Sequence, residues 1–241
     1  MWNTALEETN YVVKDTSRRI EDSFADHKPD ISLNHRVVGK EAWHVDLPAT
    51  AEDYERVAQV ALAYSTSIVE VKLSAKDDPF GSGTEVECDP SGHESRVQIL
   101  KSICEMFLRQ HRECIYTVFI AGSRARLMRW DRCGVIVTEA FDYIEDPSDL
   151  VNFFYFLATA SRQKQGYDTS MTLATKKQKA ELATYRQELK DRGDRPYHLK
   201  FVDEMMENPN LYPYYQVSVI HVPLTALYSL ISAAKMPGFI R

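Results

Sequence analysis

The chain has few of the residues that mark disulfide-rich, collagen-like or disordered proteins. Its 241 residues include 4 Cys, 9 Gly and 10 Pro, with 44% hydrophobic and 27% charged residues. This composition indicates a globular protein and excludes a disordered or collagen-like chain. The cysteines show no paired CxxC spacing, which favours reduced thiols over a disulfide framework or a zinc site.

Signals for export and membrane insertion are also lacking. The N-terminus has no basic segment followed by an apolar stretch, so a secretory signal peptide is not expected. The best candidate for a membrane span, residues 217–234, contains His221 and Pro223 and is marginal in length. We therefore expect an intracellular protein, cytoplasmic or nuclear, with no membrane partner.

An excess of basic residues is absent as well. The 29 Lys and Arg against 35 Asp and Glu leave a formal net charge of -6. This balance argues against non-specific binding of polyanions by the whole chain. A local basic patch beside an acidic metal site remains compatible with it.

Hydrophobic periodicity and turn residues predict a mixed α/β protein. Helices are predicted at residues 5–26, 50–64, 91–111, 150–160, 175–191 and 224–234. Strands are predicted at residues 30–38, 67–73, 115–121, 125–130, 135–141, 197–202 and 214–221. We expect one elaborated domain over residues 1–241, with a core at about 5–145 and an elaboration at about 146–241.

Two short motifs carry the candidate chemistry. Pro29-Asp30 opens one predicted strand, and Glu70-Val71-Lys72 lies within another. Because strand side chains alternate, Glu70 and Lys72 project from one face about 6 to 7 Å apart. Two carboxylates, from Asp30 and Glu70, and the carbonyl of Val71 are hard oxygen ligands that suit Mg²⁺ or Mn²⁺. Lys72 would then lie beside the metal-bound water and stabilise a phosphoryl transition state.

A purely structural interpretation of these motifs stays open. Glu70 and Lys72 can form an ordinary ion pair on the surface of a strand, and Asp30 can stabilise a turn.

The order of these motifs and elements resembles the PD-(D/E)XK nuclease superfamily, whose core is αβββαβ. The resemblance implies a restriction-endonuclease-like fold and hydrolysis of DNA or RNA with Mg or Mn. It implies metal ligation by Asp30 and Glu70, assistance to hydrolysis by Lys72, and support of the site by Gln98 on the following helix. A glutamate of the first helix is a frequent further ligand, and Glu21 is the nearest candidate.

A second resemblance covers roughly residues 29–169. The run from Arg124 through Arg129, Trp130 and Gly134 to Tyr143, preceded by Ser95-Arg96-Val97-Gln98, is similar to the region N-terminal to the kinase domain in fungal-type protein kinases of mushroom-forming fungi. The resemblance implies a kinase domain as a C-terminal partner in a longer protein and none within this chain. The sequence contains neither an HRD nor a DFG motif, so we assign no phosphotransferase activity.

Arg124 and Arg126 share one face of a predicted strand. Arginine forks suit phosphate oxygens, which makes this pair a candidate nucleic-acid contact. The alternative is a salt-bridged sheet surface with Asp131, Glu139 and Asp142 as partners.

Three functions are therefore compatible with the sequence. The first is a metal-dependent phosphodiesterase associated with a fungal-type protein kinase. The second is a non-catalytic regulatory or partner-binding module preceding the kinase domain. The third is a nucleic-acid-binding module without cleavage, dependent on the arginines. The oligomeric state is not determined by the sequence.

Overall fold

A seven-stranded, mostly antiparallel sheet lies at the centre of the fold. The computed structural model describes residues 6–19, 28–46, 57–81, 89–192, 213 and 215–217. The strands of this sheet are β1 (Tyr11–Asp15), β2 (Ile31–His35), β3 (Ser65–Lys72), β4 (Ile115–Ala121), β5 (Arg124–Trp130), β6 (Val135–Val137) and β7 (Phe141–Asp142). The helices are α1 (Lys40–Trp43), α2 (Pro90–Arg109), α3 (Ser148–Thr159) and α4 (Lys176–Asp191), with a 3-10 helix at Ala75–Asp77. A separate two-stranded sheet joins β8 (Met171–Leu173) to β9 (Tyr215–Val217).

The strand order of the main sheet is β1-β2-β3-β4-β5-β6, and β7 also pairs with β5. β3 and β4 are parallel, whereas the other neighbouring strands are antiparallel. Parallel neighbours need a long crossover connection, and α2 supplies it. Its 20 residues extend about 30 Å, enough to return the chain along the sheet.

Apolar side chains cover both faces of the sheet. On one face α3 contributes Leu150, Phe154 and Leu157 to a core with residues of β1 to β5. On the other face α2 contributes Ile99, Ile103 and Met106. Along β3, Ile68 belongs to the α2 face and Val69 to the opposite face. The strand therefore turns Glu70 and Lys72 toward α2.

Most of the predicted elements that fall on described residues are confirmed. The predicted helices at 91–111, 150–160 and 175–191 correspond to α2, α3 and α4. The predicted hairpins after residue 115 correspond to β4, β5 and β6, and the strand predicted at 214–221 contains β9. The strands predicted at 30–38 and 67–73 are β2 and β3, which pair directly with Ile31 opposite Val69.

The helix predicted at residues 5–26 is wrong where it can be compared. Residues 11–15 form β1, which pairs antiparallel with β2. Tyr11, Val12 and Val13 are all buried. Three consecutive buried residues of the aromatic and β-branched types fit a strand covered on both faces, and pairing with β2 overrides the weak helical spacing.

The helix predicted at residues 50–64 is also wrong in its described part, residues 57–64. Val57 forms an isolated bridge with Asp15, and the Ala58 N–H donates to the Asp15 carbonyl at 2.9 Å. Val60 and Leu62 are buried in the α2-side core. A short apolar run does not distinguish a buried helix from a buried extended segment, and backbone pairing favours the latter here.

Some predictions fall outside the described residues. These are Glu21, the strand at 197–202 and the helix at 224–234. Among the helices that the structure does describe, none combines the length and the apolar character needed to cross a bilayer.

Candidate functional site

Asp30 immediately precedes β2, beside the end of β3. Its Oδ2 accepts a hydrogen bond of 2.8 Å from the Val71 N–H. Thr16 fixes this segment, because its hydroxyl donates to the Pro29 carbonyl at 2.6 Å and its N–H donates to the Asp30 carbonyl at 2.9 Å. The register that pairs Ile31 with Val69 therefore brings the Asp30 carboxylate to Glu70.

Lys72 bridges β3 and α2. Its Nζ donates to Glu70 Oε1 at 2.7 Å and to Gln98 Oε1 at 2.7 Å. Strand alternation puts Glu70 and Lys72 on one face, and the crossover of α2 brings Gln98 over that face. The four residues predicted to be catalytic, Asp30, Glu70, Lys72 and Gln98, thus lie together in the structure.

Glu70 is the most buried member of this group, with 8% of its surface exposed. Burial raises the pKa of its carboxyl group, the Lys72 ammonium opposes that rise, and the charge of Asp30 adds to it. The net direction is upward. The negative charges of Asp30 and Glu70 therefore repel each other, and the Lys72 ammonium opposes this repulsion.

This donor set fits a small divalent cation. The carboxylates of Asp30 and Glu70 are hard oxygen donors, and the Val71 carbonyl points to the same strand edge as its N–H, toward Asp30. Mg²⁺ commonly binds through one or two carboxylates and keeps several waters. No cluster of three or more His, Cys, Asp or Glu side chains suited to a metal occurs in the described ranges, so protein ligands alone would not fill the shell.

The two arginines predicted to contact nucleic acid differ in their surroundings. Arg126 is buried, and Asp78 accepts from its Nε with both carboxylate oxygens, at 2.8 and 3.0 Å. The carbonyls of Thr138 and Gly81 accept from its two terminal nitrogens, at 2.9 and 2.6 Å. Arg124 is exposed and donates to the Ala140 carbonyl at 2.6 Å.

Asp78 is a partner of Arg126 that the sequence did not reveal. The expected acids for the arginine pair were Asp131, Glu139 and Asp142, yet Arg126 binds an acid 48 residues away. No local pattern links the two residues, because the contact depends on how the segment after β3 folds back over β5.

A polar cavity of about 590 Å³ adjoins the end of β3. Lys76, Asp89, Arg124 and Glu139 are among its lining residues. The Gly122 N–H donates to the Lys72 carbonyl at 3.0 Å, which joins the β4–β5 turn to the end of β3. Ala121, which pairs with Lys72, also lines the cavity, so its cationic and acidic side chains lie near the end of β3.

Comparison with known proteins gives one family. The model of the family described as fungal protein kinase matches residues 82–209, more than half of the chain. The chain belongs to the fungal protein kinase family. This membership confirms the resemblance to fungal-type protein kinases. Among curated proteins and solved structures, none matches the chain.

The family match indicates a kinase-associated module. It includes Gln98, Arg124 and Arg126 and begins after Asp30, Glu70 and Lys72. Membership of the fungal protein kinase family therefore carries no information on the role of the two carboxylates and the lysine.

Proposed function

We propose that this chain is a kinase-associated module that hydrolyses phosphodiester bonds with Mg²⁺ or Mn²⁺. The observation that carries the proposal is the position of the Lys72 ammonium, 2.7 Å from both Glu70 and Gln98 at the strand end where Asp30 lies. β1 to β4 are neighbours in that order in the sheet, and α2 is the crossover from β3 to β4. This arrangement further supports a PD-(D/E)XK-type core, since it resembles the βββαβ part of αβββαβ with the short helix α1 inserted between β2 and β3.

Each residue has a separate task in this proposal. Asp30 and Glu70 hold the cation, with the Val71 carbonyl as a third oxygen donor. A bound divalent cation supplies Lewis-acid polarisation of a phosphate oxygen. Lys72 orients the attacking water, whose oxygen bonds to phosphorus as the bond to the leaving oxygen breaks. The proton that the water loses passes to solvent, and the leaving oxygen takes up a proton from solvent. Its charge also stabilises the negative charge that develops on phosphate, while Gln98 holds the ammonium in place.

The substrate class we propose is DNA or RNA. Arg124 and Lys76, at the polar cavity beside the site, are the cationic side chains available for a phosphate backbone. Arg126 is less suited to that role, because protein acceptors already occupy its guanidinium group.

A cleavage assay tests the proposal. The full chain is incubated with end-labelled single-stranded and duplex DNA and RNA, in Mn²⁺, in Mg²⁺ and in EDTA. We expect metal-dependent cleavage that Lys72→Ala and Asp30→Asn each reduce by at least about 100-fold, the usual cost of one transition-state contact. Lys177→Ala, at an exposed lysine of α4, is the matched control and keeps the activity. Equal cleavage by wild type and Lys72→Ala would show that another site, or a contaminant, is responsible.

The second candidate is a non-catalytic regulatory or partner-binding module, with a kinase domain as its partner. The family match favours it, because the match is to a kinase family and begins after the three motif residues. In that case Glu70 and Lys72 form a structural ion pair. Absence of cleavage together with absence of Mn²⁺ binding would favour this candidate.

A further inference from the structure

β6 forms an open edge of the main sheet. Among the described residues it pairs with β5 alone. Beyond its two ends, the Thr138 N–H donates to the Leu127 carbonyl at 3.0 Å and the Asp131 N–H donates to the Gly134 carbonyl at 2.9 Å. These bonds define the phase of the ladder, because bonded and non-bonded pairs alternate in antiparallel strands.

This phase determines which backbone groups of β6 face outward. The pair of Arg129 and Ile136 falls at a bonded position, so Ile136 directs its N–H and C=O to β5. Val135 and Val137 direct theirs away from β5, toward the open edge. An edge of this kind is a template for another extended chain.

Apolar surface borders the open edge on both faces of the sheet. On the α2 side, Val135 and Val137 line a groove of about 1020 Å³. Its other apolar walls include Leu100, Phe107, Leu108 and Trp130. On the opposite face Ile136 is 67% exposed. A strand that pairs with β6 would therefore cover apolar side chains on both faces.

We infer that β6 is a homodimer interface, in which two copies of this chain pair their β6 strands antiparallel about a two-fold axis. The register sets Ile136 opposite Ile136 of the partner subunit, and Val135 opposite Val137 of the partner subunit. Every outward-facing N–H and C=O of β6 then finds an acceptor or a donor. Such an arrangement is self-complementary, as a two-fold interface requires.

The charges at the two ends of β6 agree with this register. Arg132 precedes the strand and Glu139 follows it, and both side chains line the α2-side groove. In an antiparallel pair the Arg132 end of one copy lies beside the Glu139 end of the other. Arg132 stacks over the Phe107 ring at 5.5 Å. Within the described part of the chain, neither Arg132 nor Glu139 forms an ion pair.

The backbone of β6 thus provides the pairing edge, and the charges at its two ends select a second copy as the occupant. Val135, Ile136 and Val137 are β-branched, which favours the extended conformation that pairing needs. The antiparallel arrangement places Arg132 of each copy beside Glu139 of the other, whereas a parallel one would place like charges together. A chain with the reverse order of charges would be repelled.

Sedimentation equilibrium of the full chain over a range of concentrations tests this inference. We expect a reversible dimer. Val137→Pro removes an outward N–H without removing a bond to β5, and proline is tolerated at such edge positions. This variant should be monomeric with an unchanged far-UV spectrum. Ile144→Lys, a change at an exposed apolar residue outside β6, is the matched control and should remain dimeric.

A charge-swap experiment decides the register and does not depend on the proline variant folding. Arg132→Glu and Glu139→Arg each place like charges together and should raise the Kd of the dimer by about tenfold or more. The double variant restores opposite charges and should recover most of the affinity. A monomeric wild type would overturn the inference. The inference would also be overturned if the wild type is a dimer but Val137→Pro and the charge swaps leave its Kd unchanged.

Discussion

The Lys72 ammonium donates a hydrogen bond of 2.7 Å to the side-chain oxygen of Gln98, which joins the end of β3 to the middle of α2. The same nitrogen lies 2.7 Å from Glu70 Oε1. A flexible lysine is thus held by two oxygen acceptors on different elements. Its position depends on the packing of α2 on β3 and not on its own rotamer preference.

Mn²⁺ should stabilise the wild-type chain and not its carboxylate variants. A ligand that binds only the folded state at a hundred times its Kd adds about 2.7 kcal/mol, or roughly 5 to 10 °C in Tm for a chain of this size. Thermal denaturation with Mn²⁺ or EDTA measures the shift. Glu70→Gln and Asp30→Asn should lose it. The exposed Glu94→Gln on α2 carries the same loss of charge and should retain it. An equal shift in all four proteins would place the cation elsewhere.

Glu70→Gln should stabilise the metal-free chain relative to wild type as the pH rises. Burial, together with the charge of Asp30, holds the pKa of Glu70 above its usual value of 4.5 despite the Lys72 ammonium. The folded state therefore binds the proton of Glu70 more tightly than the unfolded chain does. The stability that this proton adds is fully present below the usual pKa of 4.5 and is lost as the pH rises through the pKa of the folded state.

Tm values of wild type and Glu70→Gln from about pH 4 to about pH 8, in EDTA, check this pH dependence. The difference should grow in favour of the variant across the range. Glu94→Gln is the control for a carboxylate exposed to solvent. A difference that is constant with pH would show that Glu70 has the same affinity for its proton in both states.

Arg126→Ala should destabilise the fold, whereas Arg124→Ala should not. Truncating Arg126 leaves Asp78 without its partner at a largely buried position, and breaking a buried pair costs about 3 to 5 kcal/mol. Arg124 is exposed, and a surface substitution changes stability by about 0.5 kcal/mol or less. Urea denaturation of both variants measures the free energy of unfolding. Equal effects would contradict the structural role assigned to Arg126.

Arg124→Ala also tests the proposed contact with nucleic acid, because it should leave the stability of the fold unchanged. If Arg124 contacts a phosphate backbone, Arg124→Ala should weaken binding of a DNA or RNA oligonucleotide and lower the salt dependence of that binding, with stability unchanged. Fluorescence anisotropy at several salt concentrations measures both quantities. Lys177→Ala on the exposed helix α4 serves as a control for loss of one surface charge.

Gln98→Ala should lower the rate of phosphodiester cleavage without weakening the metal site. Loss of its oxygen leaves Lys72 with one acceptor, so the ammonium samples positions away from the reacting phosphate. We expect a fall in kcat of about tenfold, with KM and the Mn²⁺ shift unchanged. Single-turnover kinetics together with the thermal shift check this outcome. A lost Mn²⁺ shift would show that Gln98 supports the carboxylates as well.

The elements with strong local signals were predictable. The apolar spacing of α2 and the turn residues around β4, β5 and β6 predict helix and hairpins close to their observed bounds. β1 was mistaken for a helix because its neighbours share a helical spacing, and the pairing with β2 that decides its conformation is not local. The buried segment at 57–64 was mistaken for the same reason.

The candidate site was predictable only in its residue types. Glu70 and Lys72 must share a face because strand side chains alternate, and Pro29-Asp30 marks the start of a strand. Gln98 was predicted from the family resemblance alone, and Asp78 was not predicted at all. Neither residue lies within a pattern that would reveal its contact with Lys72 or Arg126.

The sequence alone determined the mixed α/β composition, the amphipathic helix α2 and the common face of Glu70 and Lys72. The tertiary structure decided that Asp30 contacts Val71 across 41 residues and that Gln98 contacts Lys72 across 26. It also decided that the Arg126 guanidinium forms an ion pair with Asp78 inside the fold. The physical reason is range. Periodicity acts through neighbours along the chain, whereas strand register and helix packing are set by burial of the whole sheet.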